Sequence, residues 1–142
     1  MITQLSIFIE NKLGRLLEII SILGKNNINI RALSLADKAN YGILRIIVDK
    51  KNEALTILKG NNISVKETEV LAIEVDDKPG GLASVLKIFF DNGINVEYMY
   101  AFVEKKGEKA LVVFRVEEIK KAEEILKKNN VRTLIEKEIE KI

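Results

Sequence analysis

Two short turns carry the residues best suited to chemistry. One reads Glu10-Asn11-Lys12-Leu13-Gly14-Arg15-Leu16 and the other Asp76-Asp77-Lys78-Pro79-Gly80-Gly81-Leu82. Each leads from a strand pattern into a helix pattern. Gly14 and Gly80 allow unusual backbone angles or close approach of a ligand. Pro79 suits the first position of a helix or a turn. The first amides of a helix lack intrahelical partners and can hold an anion such as a carboxylate. Asn11 or Asp77 can cap those amides or receive an ammonium group. Asn29 and Asn95 open the strands that follow, and a side-chain amide both donates and accepts. Together these groups could recognise an α-amino acid whose side chain sits among apolar neighbours. The same residues also serve as ordinary punctuation between helices and strands.

Other chemistry is restricted by composition. The 142 residues include no Cys and no His, which removes disulfides, thiolate nucleophiles, Cys-based zinc sites and the commonest general base. The adjacent acids Asp76 and Asp77 sit at a strand end and should point apart, which disfavours a paired-carboxylate catalyst. The protein is therefore expected to be no enzyme and to need no cofactor or metal. A net charge of +2 argues against a nucleic-acid partner. No apolar run approaches the roughly 18 residues of a membrane span, and no signal peptide is evident. A cytoplasmic location is expected. The hydrophobic share of 47% and charged share of 31% suit a globular protein.

The elements that must position these turns emerge from an internal repeat. Shifted by 66 residues, Ile7–Ile30 falls on Ile73–Val96 with 8 identities in 24 pairs. Beyond a two-residue insertion near Lys105–Lys109, Asp49–Asn62 falls on Glu117–Asn130 with 6 identities in 14 pairs. The units are 1–68 and 69–142, joined near Thr68–Val70 without a linker. Each reads as strand–helix–strand–strand–helix–strand. Leu5, Ile7 and Ile9 alternate as in a half-buried strand; Leu16, Ile19, Ile20 and Leu23 follow helical spacing. Asn26-Asn27 and Asn92-Gly93 end the first helix of each copy. Short last strands are expected at Ile63–Lys66 and near Val131–Ile135.

This order predicts an α+β chain of two tandem ferredoxin-like βαββαβ domains, each an antiparallel four-stranded sheet with helices on one face. The strands Gly42–Asp49, Ala110–Val116 and Ile94–Val103 are apolar on both phases. Such strands are usually buried on both faces, so the sheets should pack on each other or on a second chain. Tyr98 and Tyr100 would then pack in that interface or line a ligand pocket.

The pattern Asp-x-Pro-Gly-x-Leu, then Gly-Ile-Asn-Val, resembles the ACT domain. The second copy carries it fully in Asp77–Leu82 and Gly93–Val96; the first carries Asn11–Leu16 and Asn27–Ile30, without the acid and the proline. The resemblance is to stand-alone tandem ACT proteins. The first copy also resembles the small regulatory subunit of acetolactate synthase. It implies a non-catalytic regulatory protein that binds an amino acid where ACT domains meet. The site residues it implies are Asn11, Leu13, Gly14, Arg15, Leu16, Asp77, Pro79, Gly80, Gly81 and Leu82 in the loops, with Asn29, Ile30, Asn95 and Val96 in the strands. The neighbouring Leu, Ile and Val point to an apolar amino acid. A homodimer is expected. The alternative is a regulatory subunit acting by direct contact with a biosynthetic partner enzyme such as acetolactate synthase.

Overall fold

Alternation and helical spacing together build the first unit. Leu5, Ile7 and Ile9 project from one face of the strand Ile2–Glu10 (β1), and Ile19 and Leu23 from the buried side of the helix Arg15–Lys25 (α1). The chain continues through Ile30–Lys38 (β2), Tyr41–Val48 (β3) and the helix Lys51–Gly60 (α2). Next come Val65–Asp76 (β4), the helix Gly81–Asp91 (α3), Val96–Ala101 (β5) and Lys109–Val116 (β6). The helices Ile119–Lys128 (α4) and Glu136–Glu140 (α5) complete it. The computed structural model describes residues 1–104 and 107–142, so part of the insertion expected near Lys105–Lys109 lies outside the described residues.

All strand pairs are antiparallel, in the order β2-β3-β1-β4-β6-β5. The α+β ferredoxin-like arrangement expected for both units is present. Its join differs from expectation. In place of a short strand at Ile63–Lys66 followed by a new one, a single 12-residue strand β4 runs through both units. Its first half, through Val70, pairs with β1; its second half, from Leu71, pairs with β6. The strand expected near Val131–Ile135 is reduced to one bridge, Thr133 with Ile73, before the chain turns into α5. There Leu134 and Ile139 are fully buried, so the chain turns to place them in the core.

The sheet curls until its two end strands touch. Ala32 of β2 bridges Phe102, and the Val103 amide donates to the Arg31 carbonyl at 2.9 Å. This curl accounts for strands that are apolar on both phases. Leu44, Ile46 and Val48 face α1 and α2 in one core; Val112, Phe114 and Val116 face α3 and α4 in another. The opposite phases, including Ile47, Leu111 and Val113, meet in a third core between the sheet halves, closed by Leu134 and Ile139. Burying each such side chain stabilises the fold by about 1.5–3 kcal/mol relative to exposure.

The third core holds one polar cluster. Gln4 is fully buried on the inward face of β1. Its Nε2 donates to the Tyr98 hydroxyl and to Ser6 Oγ, both at 2.9 Å, and its Oε1 accepts from the Tyr100 hydroxyl at 2.7 Å. The Arg45 guanidinium lies 3.8 Å from the Tyr98 ring centroid. Burial, with Tyr98 beside it, pushes the Tyr100 phenol well above its ordinary pKa. The two tyrosines thus pack between the sheet halves.

The four longer helices share one ending. Asn26, Asn61, Asn92 and Asn129 each donate a side-chain N–H to the carbonyl four residues earlier at 2.8 Å. The next residue is left-handed in every case: Asn27, Asn62, Gly93 and Asn130 have φ of 59°, 59°, 68° and 59°.

Candidate functional site

The two strand–helix turns have nearly the same backbone. In the first, the Lys12 amide donates to the Glu10 carbonyl (2.9 Å), and Gly14 sits at φ +85° before α1. In the second, the Lys78 amide donates to the Asp76 carbonyl (2.9 Å), and Gly80 sits at φ +84° before α3. Each turn is also tied to the neighbouring hairpin, Asn11 to the Asn40 carbonyl and Asp77 to the Glu108 carbonyl, both at 3.3 Å. The N-cap position of each helix is a glycine, Gly14 or Gly80, which has no side chain to bond the first amides. The first amide of each helix is bonded within the turn, Arg15 to the Lys12 carbonyl (3.3 Å) and Gly81 to the Lys78 carbonyl (3.0 Å), so anion holding would fall to the amides that follow. Pro79 lies in the turn ahead of Gly80 rather than in the helix, and Leu13, its counterpart, is fully exposed.

The first turn opens onto a hollow of 240 Å³. Asn11 and Leu16 line it from the turn, with Leu35, Ala36 and Asp37 from the far end of β2 and Ile9 and Gly42 beneath. Its walls are mainly apolar; Glu10, Lys12 and Asp37 also line it, and Lys12 pairs with Glu10 at 3.4 Å.

Asn29 and Ile30 lie elsewhere. Ile30 starts β2 and Asn29 precedes it, whereas the turn meets the strand's end; α1, at 11 residues, separates the two by about 16 Å. The Asn29 amide donates to Asp49 Oδ1 at 2.9 Å, and its carbonyl accepts from the Asp49 amide at 3.1 Å. Its side chain is exposed, and with Ile30 it borders a 110 Å³ hollow shared with Val103 and Glu104 of the second unit. Asn95 is exposed just ahead of β5, and Val96 packs against the second core. Thus Asn11 and Leu16 share the hollow with Leu35–Asp37, which the sequence reading missed. The signal was in the topology. In a β-α-β unit the second strand returns parallel to the first, so its far end reaches the first turn.

The second turn is more charged. Lys109 forms an ion pair with Asp76, and this bond holds the Asp76 carboxyl below its usual range and raises the Lys109 ammonium. Arg132 bridges Glu74 (2.7 Å) and Glu138, which raises its own pKa. Gly81 is buried where α3 presses on β4; a Cβ there would lie 1.9 Å from the Asp76 carbonyl oxygen. The aligned residue of the first unit is Arg15. Its side chain is 19% exposed and reaches Glu18 at 3.1 Å, with Nε buried and unpartnered. Leu82 is partly exposed beside the second turn, much as Leu16 is beside the first.

Among the described residues no cluster of three or more acids is arranged to hold a metal ion. Among them, too, no helix is long and apolar enough to cross a membrane.

The family model of the ACT domain pair matches residues 1–142. Among solved structures, a protein from Bacteroides thetaiotaomicron is 41% identical, with a TM-score of 0.91, over 99% of this chain and 96% of that one. The regulatory subunit of aspartate kinase from Thermus thermophilus, in a ligand-free form, is 16% identical, with a TM-score of 0.62, over 88% of each chain. The corresponding subunit from Thermus flavus is 14% identical, with a TM-score of 0.59 over 88% of each chain. At these identities the two kinase subunits share the fold. No curated protein matches the chain in sequence.

Proposed function

The chain belongs to the ACT domain family as a domain pair, and on that premise we propose that it is a regulatory protein that binds an apolar amino acid without transforming it. The observation that carries this reading is the 240 Å³ hollow beside the start of α1. It is smaller than the roughly 300–1,000 Å³ typical of drug-sized ligands, a scale that suits a single amino acid. The ligand carboxylate would face the first-turn amides of α1 behind Gly14. The ammonium would face Asp37 or Glu10, and the side chain would rest on Ile9, Leu16 and Leu35.

The two units of this reading are residues 1–68 and 69–142, and the wider contact set includes Leu13, Arg15, Asn29, Ile30 and the second turn with Asn95 and Val96. Strand residues join a turn when ACT units lie edge to edge, and a homodimer would supply such a junction. Beyond Ala32 the outer edge of β2 carries Leu33 and Leu35, 44% and 54% exposed, consistent with a second copy docking there. Regulation then requires the ligand to bind two states of the protein, or of a complex with a partner enzyme, with different affinity. The kinase subunits that share the fold make a partner enzyme a natural target.

Calorimetric titration of the full chain with each of the twenty amino acids tests this. Saturable binding of an apolar amino acid is expected, weakened at least tenfold by Leu35→Asp, which places a charge on an exposed wall of the hollow. Binding by none of them, or the absence of any binding event that Leu35→Asp weakens, overturns the reading.

A further inference from the structure

The second unit contains a hollow of 320 Å³ between α3 and the segment that follows α4. Its floor is apolar: Val75 and Val85 are buried there, beside Ile88 and Val131. Its rim carries the ion pairs Asp76–Lys109 and Glu74–Arg132. Both signs of charge therefore border an apolar base, an arrangement suited to a ligand with both charges and an aliphatic body.

The two copies differ beside this hollow. The position that adjoins it is Gly81, and its counterpart is Arg15. In the first unit the Arg15 side chain lies largely buried against Glu18, the counterpart of Ser84. No such chain can stand at position 81, because any Cβ there would meet the Asp76 carbonyl oxygen at 1.9 Å.

We propose that this hollow is a separate binding site for a free aliphatic α-amino acid in its zwitterionic form. The ligand carboxylate is held between Lys109 and Arg132, its ammonium by Glu74 and Asp76, and its side chain by Ile88 and Val131. Charge-assisted hydrogen bonds are the stronger kind. The Asp76–Lys109 pair is about half exposed and contributes little to stability, so sharing it with a ligand costs little; Arg132 already spans Glu74 and Glu138 and would take the ligand as a further partner. This site is distinct from the one beside α1 and does not depend on it.

Methyl-resolved NMR of the full chain, titrated separately with L-leucine, L-valine and L-isoleucine, tests the proposal. Saturable shifts are expected at Val85, Ile88 and Val131. Leucinamide, which lacks the carboxylate, and N-acetyl-leucine, which lacks the ammonium, should bind at least tenfold more weakly. Ser84→Trp, at an exposed position on the wall, should abolish these shifts while leaving those of Ile9, Leu16 and Leu35 intact. Should that variant not fold, Lys109→Met and the two blocked leucines decide the matter. Shifts confined to Ile9, Leu16 and Leu35 would support the first site and overturn this one; shifts confined to Val85, Ile88 and Val131 would do the reverse. Shifts at neither set overturn both, and leucinamide binding as well as leucine overturns the zwitterion assignment.

Discussion

The two units share a fold, a turn and a helix ending, yet they treat the space beside the first helix differently. The first buries the Arg15 chain there and opens a mainly apolar hollow toward β2. The second draws α3 close to β4 through Gly81 and leaves a charged hollow toward α4. Residues that the repeat preserves, such as Gly14 and Gly80, meet demands of the backbone. Residues that it changes, such as Arg15 and Gly81, give the first helix of each copy different surroundings. Duplication has thus kept the scaffold and released the surfaces for divergence.

The contrast can be broken most forcefully at position 81. Gly81→Arg installs the first unit's residue in the second, where the Asp76 carbonyl blocks its Cβ. Urea unfolding should show a loss of about 3 kcal/mol. Next is Gln4, whose counterpart by the repeat is the apolar Val70. Gln4→Leu makes the two copies alike there but strands the Tyr98 and Tyr100 hydroxyls. A loss of about 2 kcal/mol is expected in the same measurement. A smaller effect, about 1 kcal/mol each, is expected for Gly14→Ala and Gly80→Ala, because an L-residue is strained at φ near +85°. Nothing lies within 4 Å of either added Cβ, so the two losses should match; a clear inequality would show that the turns are less alike than their angles.

The most gradual effect concerns pH. Tyr100 has a raised pKa in the folded chain, so its contribution is complete below the ordinary phenol value near 10. Above that value the unfolded chain ionises first, and stability falls as pH rises. Denaturant midpoints from pH 8 to pH 11 should decline, and Tyr100→Phe should flatten part of that decline while lowering stability at pH 8.

Much of this architecture was legible in the residues because physical demands repeat with the fold. Asn26-Asn27 and Asn92-Gly93 after the first helix of each copy, the glycines before those helices and the two-sided apolar strands all predicted their places. The continuity of β4 was not legible. Glu67, Thr68 and Glu69 are polar and resemble a join, but they pair with Leu5, Gln4 and Thr3 as ordinary strand residues. The last strand of the second copy was overestimated because Val131–Ile135 has strand-like composition, whereas burial of Leu134 and Ile139 turns the chain inward. For the turns, residue types pointed to the right loop but not to its neighbours. Periodicity assigns Leu35 to a face of β2; only the direction of the strand brings it beside Leu16.

The strand β4 has a consequence for how the molecule comes apart. Releasing the first unit would leave the amides of Val65–Val70 without β1, and releasing the second would strip Leu71–Asp76 of β6. Neither half can melt without exposing a raw sheet edge on the other. The chain should therefore unfold in one cooperative step, with the slowest amide hydrogen exchange running unbroken through the middle of that strand, across the boundary between the two repeats.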